Sequence, residues 1–342
     1  MHIESLLLSC SLFVIAVVVI AFAGTKMARL ADRLADATGL GEAFVGALFL
    51  GGSTSLSGIV TSVTAAMHDH PDLAVSNALG GIAAQTVFIG IADIVYRKVN
   101  LEHAVASVAT LMQATLLVTL LAIPLMAMTG PQISLWGVHP ASFVIPVAYF
   151  FGLRLISEAQ TMPMWSPRRT AETRVEVPKA KESESSASLG LWLQFAGLAV
   201  IVAVAGYGVG EVGVSICDQT GLSESLVGGL FTALANSLPE LVTTVAAVQQ
   251  GALTLAVGGA IGGSSFDVLL LALSDWAYRK GSIYHALAAP QVFVVALTIL
   301  MMGILLLGLL RREKHGIANI GFESVLVLIL YFGGFSLLFF RS

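Results

Sequence analysis

The chain has 342 residues, of which 56% are hydrophobic and 11% charged, with a formal net charge of −4. Soluble domains hold about 45–50% apolar and about 25% charged residues, so this composition excludes an ordinary soluble enzyme and points to a polytopic membrane protein. Cys10 and Cys217 form neither a disulfide framework nor a ligand spacing, although a single bridge between them stays open.

The first apolar run ends in Ala21-Phe22-Ala23, which resembles a signal-peptide cleavage site. It is nevertheless preceded by Glu4 rather than by Lys or Arg, and it is long enough to span a bilayer. We read it as the first transmembrane helix. Ten spans are predicted in all, at about 5–24, 40–67, 72–96, 103–128, 138–157, 188–208, 222–249, 253–278, 285–310 and 318–340. The runs are continuous rather than alternating, which argues against a β-barrel. The one extended polar stretch, 158–187, carries Arg168, Arg169, Arg174, Lys179 and Lys181 among Glu and Ser, and reads as a linker.

Placing the N-terminus outside puts Lys26, Arg29, Arg33, Arg97, Lys98, Arg154, the linker cations, Arg311, Arg312 and Lys314 in the cytoplasm. Arg279, Lys280 and Arg341 are left outside. These residues are expected to set topology and to have no chemistry.

The two halves are copies. At an offset of 182, "DATGLGEAFVGALF" (36–49) meets "DQTGLSESLVGGLF" (218–231), and "SLSGIVTSVTA" (55–65) meets "SLPELVTTVAA" (237–247). Across 36–98 and 218–280, 25 of 63 positions are identical without a gap, too many in one register for apolar composition alone. Five spans per copy is an odd number, so the copies must insert with opposite orientation. The expected architecture is an all-α membrane protein of about ten helices in two inverted repeats, 1–157 and 188–342, joined by 158–187. The exceptional cations Arg279 and Lys280 are then inherited from Arg97 and Lys98.

Most acidic residues fall in loops or near span ends. Glu42 and Glu224 suit helix starts, and Asp93 and Asp275 read as interfacial anchors. Glu240 and Asp267 alone lie deep in spans, where an acid costs about 2.5–3.5 kcal/mol and marks a functional site by default. Asn236, Ser237 and Glu240 share one helical face. Pro239 is expected to free a backbone carbonyl near Ala235, while Gly262 and Gly263 allow close helix approach ahead of Asp267. Such hard oxygen donors suit Na+ or Ca2+. The first-half equivalents are Thr54, Ser55, Gly58 and Gln85, with Gly80 and Gly81 keeping the close approach; both acids are missing.

"NSLPELVTT" with "GGAIGGSSFDVLL" resembles the second alpha-repeat of the calcium/cation antiporter superfamily, whose best-known branch is the sodium/calcium exchangers. The resemblance implies that Glu240 and Asp267 are the coordinating acids, with Ser237, Asn236, Thr54, Ser55 and Gln85 as neutral ligands. It also implies alternating access, with the first and sixth spans sliding across a core of broken helix pairs at 40–67 with 72–96 and 222–249 with 253–278. Gly58 stands where the family has glutamate, and Gln85 where it has Asn or Asp. A site charge of −2 at most suits one divalent ion or about two monovalent ions. The expected activity is exchange of Ca2+ or another divalent cation against Na+ or H+. The alternatives are a monovalent cation/H+ antiporter and a degenerate homologue that does not transport.

The rivals have weaker support. "MHDHPD" (67–72) holds His68, Asp69, His70 and Asp72, but it has no copy in the second half and reads as a solvated loop rather than a catalytic metal site. A passive channel fits inverted repeats poorly. "GGAIGG" lacks the strand and lysine of a phosphate loop, and no basic aromatic face suggests nucleic acid. No cofactor is expected, and the partners are inorganic cations and the bilayer, with the monomer as the transport unit. The linker is too short for a large calcium-sensing domain, and the compact form suggests a prokaryotic cytoplasmic membrane.

Overall fold

The computed structural model describes residues 5–38, 49, 51–105, 107–161, 163–168, 170–173, 189–316 and 320–341. The first span is α1 (Leu6–Val19), which passes through a π turn (Ile20–Gly24) into α2 (Thr25–Thr38). After it come α3 (Leu56–Met67), α4 (Pro71–Val95), the short α5 (Leu101–Ala104), α6 (Val108–Thr129) and α7 (Ala141–Thr161). The second half repeats the order: α8 (Leu189–Thr220), α9 (Glu224–Leu226) with a π turn (Val227–Thr232), α10 (Ala233–Gln249), α11 (Leu253–Ala277), α12 (Ile283–Ala286), α13 (Pro290–Arg311) and α14 (Phe322–Arg341).

Nine of the ten predicted spans are helices long and apolar enough to cross a membrane, and α3 is most of the described part of the tenth. Glu42 and the second half of the predicted linker, 174–187, lie outside the described residues. The first and sixth spans are longer than expected, because Leu6–Leu34 and Leu189–Thr220 run on as helix. Their extensions bury small and branched residues, among them Met27, Ala31 and Leu34 in one and Val209 and Val212 in the other. Lys26, Arg29 and Arg33 therefore sit on a helix rather than in a loop.

The same order shows in burial. The most hydrophobic windows of α4 and α11 are 83% and 72% buried, against 11% for the first span and 17% for α8. An apolar helix with so little burial turns its side chains to lipid, so α4 and α11 form the centre and the first span and α8 the outer layer. Backbones meet closely where glycine allows it. A Cβ on Gly80 would collide with the backbone of Gly229, and a Cβ on Gly206 would lie 2.6 Å from Ser57 O. The twin pair behaves differently: Cβ atoms on Gly262 and Gly263 would sit 3.7 and 3.5 Å from glutamine side chains, at ordinary contact distance. Pro239 does not break its helix, as α10 is continuous around it. Its ring packs on Gly24, and the irregular turn falls earlier, at the π turn.

Asp93 and Asp275 correct a sequence expectation and display the inverted symmetry. Both are fully buried rather than interfacial. Asp93 accepts from Leu101 N (2.7 Å) and Gly321 N (2.8 Å). Asp275 accepts from Ile283 N (2.7 Å) and His139 N (2.8 Å), the same positions moved by 182 or its reverse. Each carboxylate satisfies loop N–H groups that would otherwise be buried and unpaired, which fixes the chain beyond each central helix.

The "MHDHPD" loop is not simply solvated. His68 pairs with Glu211 on α8 (3.1 Å), His70 with Glu224 on α9 (2.7 Å), and Asp69 with Lys280. Asp72 accepts from Ala288 N (3.0 Å). The loop thus ties the first half to the second. The Glu224 hydrogen bond, outweighing burial, holds the His70 imidazole above its usual range. Its stabilisation is complete below about pH 6.5 and is lost as the pH rises through the higher folded-state value. His70→Gln is expected to flatten the fall in melting temperature between about pH 6 and about pH 8, by an amount equivalent to about 0.5–1 kcal/mol at this half-exposed pair. Equal slopes in the two proteins would show that the pair contributes nothing.

Candidate functional site

Ser55 interrupts the second span: residues 51–54 are helical, Ser55 is a turn, and α3 starts at Leu56. This break lies against the middle of α11. Ser55 Oγ donates to Asp267 Oδ1, and Gln85 Nε2 donates to Asp267 Oδ2 at 2.6 Å. Gln85 is in turn held by Ser264 Oγ, which donates to its Oε1 at 2.7 Å. Gln85 and Asp267 are each other's equivalents in the two repeats, so the pseudo-twofold relation brings them into direct contact. Both oxygens of Asp267 are occupied by neutral donors.

Glu240 is placed differently. It is 7% exposed, and its Oε2 has no hydrogen-bond partner. Thr54, just before the break, hydrogen-bonds to its carboxyl. A cavity of about 10 Å³ lies between α3, α4, α10 and α11, lined by Ser55, Gly58, Asn77, Asn236, Ser237, Glu240 and Asp267 among others. That is room for about one water-sized particle. Gly81 borders the same space, since a Cβ there would sit 3.3 Å from Ser237 Oγ and 3.8 Å from Asp267 Oδ2.

One wall is an amide network that the sequence reading missed. Asn236 Nδ2 donates to Asn77 Oδ1 (2.9 Å) and Thr61 Oγ1 (3.1 Å). Asn77 also accepts from Thr232 Oγ1 (2.8 Å), and its Nδ2 donates to Ser62 Oγ (2.9 Å). These donors are used up within the wall, and Asn236 Oδ1 is left buried without a partner. The signal was present in α4, where Ser76, Asn77, Gln85 and Thr86 interrupt a helix that is otherwise apolar between Asp72 and Asp93. Because the second-half equivalent of Asn77 is Gly259, the repeat comparison could not raise it.

Thus Ser55, Asn236, Ser237, Glu240 and Asp267 converge on one buried space. Thr54 and Gln85 reach it through the carboxylates, and Gly58 and Gly81 leave it open. Gly80 packs α4 on the second half, and Gly262, Gly263 and Pro239 lie outside the cavity wall. Oxygen donors around so small a space can replace the hydration shell of a hard cation.

The sequence profile described as "Sodium/calcium exchanger protein" matches residues 8–152 and 190–340. The chain belongs to this family. The family's members are exchangers, and this one is an integral membrane protein with multiple spans. The chain is 27% identical over 342 residues to "Putative antiporter CaxA" of Alkalimonas amylolytica, covering 98% of this chain and 100% of that one. It is 24% identical over 267 residues to "Inner membrane protein YrbG" of Escherichia coli, covering 78% of each. Among solved structures, an H+/Ca2+ exchanger, CAX, superposes with a TM-score of 0.70 at 12% identity over 98% of this chain and 86% of that one. The sodium-calcium exchanger NCX_Mj gives 0.61 at 16% identity over 97% and 99%. At such identities these likenesses establish the shared exchanger fold.

Proposed function

We propose that this exchanger-family protein carries a hard cation, Ca2+ or another divalent ion, against Na+ or H+ by alternating access at the cavity between α3, α4, α10 and α11. The observation that carries the reading is the Glu240 carboxyl, whose Oε2 is buried at this cavity without a partner. A carboxylate in that position is complete only with an ion or a proton on it. Asp267 supplies the second charge, with Ser55, Ser237 and Asn236 as neutral oxygens. Gln85 keeps Asp267 hydrogen-bonded when no ion is present, a task that a charged or shorter side chain would perform differently.

With Gly58 in place of a glutamate, the site offers two carboxylates. Two charges balance one divalent ion or about two monovalent ions, so a cycle of three Na+ per divalent ion is disfavoured. The chain is proposed to act as a monomer, with its N-terminus outside and the 158–187 linker in the cytoplasm, following the distribution of Lys and Arg. Uptake of Ca2+, Na+ or K+ into proteoliposomes under separate Na+ and proton gradients tests the ion pair. Divalent uptake driven by neither gradient would overturn the reading, and K+ or Na+ moving against H+ alone would favour a monovalent antiporter.

Gly58→Glu tests the charge argument directly. A Cβ at Gly58 would meet its nearest atom, Leu270 Cδ2, at 3.4 Å, so a side chain can start there without moving the backbone. The variant is expected to bind the divalent ion about tenfold more tightly, equivalent to about 1.4 kcal/mol. Unchanged affinity in a folded variant would show that the missing glutamate does not limit binding.

A further inference from the structure

The paired loop anchors Asp93 and Asp275 are alike, but their surroundings are not. Around Asp275 the set is neutral: Ser142 Oγ donates to its Oδ2 (2.6 Å) and lies 3.1 Å from Tyr284 OH. At the opposite end of the bundle, the equivalents of Tyr284 and Ala141 are Glu102 and Glu323. Both are 1% exposed. Glu323 lies across α13, where a Cβ on Gly308 would collide with its side chain. A Cβ on Gly321 would collide with Glu323 Oε1 and lie 3.2 Å from Glu102 Oε2, so the two carboxyls share the space above Gly321.

Among the described residues, no cation answers them. Neither oxygen of Glu102 nor the Oε2 of Glu323 meets a donor, while the equally buried Ser324 hydroxyl bonds to Asp93 as Ser142 does to Asp275. Asp93 is already filled by backbone N–H groups. The neighbouring cations are turned elsewhere. Arg312 donates to the carbonyls of Arg168 and His103, and Lys314 pairs with Glu172. Arg311 pairs with Glu313, while Arg97, Lys98 and His315 are exposed. The His103 ring is bonded to Arg312 O and Thr170 Oγ1. What does bear on the pair is negative: Asp93 on both carboxyls, and Glu313 on Glu323. Among the described residues, no three His, Cys, Asp or Glu side chains are arranged to hold a metal ion.

We propose that Glu102 and Glu323 form a second proton-binding site, separate from the transport cavity, which joins α5 to α14 only while one proton is held between them. Two buried carboxylates at this separation cannot both ionise, whereas a carboxyl donating to a carboxylate makes a strong hydrogen bond. Burial first, and then the charges of Asp93 and Glu323, hold the Glu102 carboxyl well above its usual range. In this proposal the bond is present at neutral pH and broken in alkali. Its loss would leave α14 tied to the chain that follows α4, the helix that carries Gln85, through fewer bonds, chiefly that of Gly321 N to Asp93.

The test is the pH dependence of melting in purified protein. A carboxyl whose folded-state value is raised loses stabilisation as pH rises. The wild type is expected to melt about 5 °C lower at about pH 9 than at about pH 6 through this pair. E102Q and E323Q each mimic the protonated member and are expected to lose that slope while keeping the neutral-pH melting temperature. The His70 contribution is the same in all three proteins and cancels. Infrared spectra should show a protonated carboxyl band at neutral pH that E102Q lacks. Unchanged slope and band in both variants would overturn the proposal. Failure of both variants to fold would do the same, since glutamine preserves the bond proposed. A rise in wild-type melting temperature with Ca2+ or Na+ that E102Q lacks would assign a cation to the pair and would also overturn it.

Discussion

Glu240→Gln is expected to reduce cation exchange by about 100-fold or more, with the folded protein still reaching the membrane. The amide keeps the shape and the bond to Thr54 but removes the charge that faces the cavity. Losing one partner of a buried charge pair costs about 3–5 kcal/mol, which corresponds to roughly a hundredfold to a few thousandfold in affinity. Asp267→Asn is expected to do less to folding than to transport, because its amide oxygen can still accept from Gln85 Nε2 while its NH2 donates to the Ser55 hydroxyl, which can turn to accept. The measurement is gradient-driven uptake into proteoliposomes beside ion binding to the purified protein. Wild-type transport in both variants would remove the cavity from the mechanism.

The second large effect is structural. Gly80→Ala places a methyl group in the backbone of Gly229, where neither chain can turn aside. The helix and the π turn must separate, and overpacking of this kind costs about 3 kcal/mol. A lower melting temperature and a loss of folded protein in the membrane are expected. Gly259→Ala is the control on a neighbouring central helix, because nothing lies within 4 Å of its added Cβ and the residue is exposed. Here helix propensity dominates and alanine should be neutral or stabilising by up to about 1 kcal/mol. Equal effects at the two positions would show that the close approach at Gly80 does not matter.

Much of the architecture could be read in the sequence because the bilayer enforces it. Spans must be about 20 apolar residues, every backbone group must be bonded within a helix, and a duplicated block of five spans must invert. Glu240 and Asp267 stood out for the same reason, as acids where hydrocarbon is expected. Element ends were less legible. The first and sixth spans run past their apolar cores because Met27, Leu34, Val209 and Val212 find neighbours to pack on, and hydropathy does not register a neighbour. Pro239 misled in the opposite direction, since a proline can sit within a continuous helix when its ring has a glycine such as Gly24 to fill.

By itself, then, the sequence determined the membrane class, the inverted duplication and the two deep acids, all consequences of transfer free energy and chain parity. Only the tertiary structure decided which of the two acids at the cavity is left with an unpartnered oxygen. Asp267 is satisfied by Ser55 and Gln85, whereas Glu240 keeps an unpartnered oxygen. It also separated Glu102 and Glu323 from the ordinary acids at span ends. Their positions in the chain, at a loop and a helix start, look solvated. Their burial depends on Gly308 and Gly321, which are distant in sequence from Glu102 and make room for carboxyls only once the helices have packed.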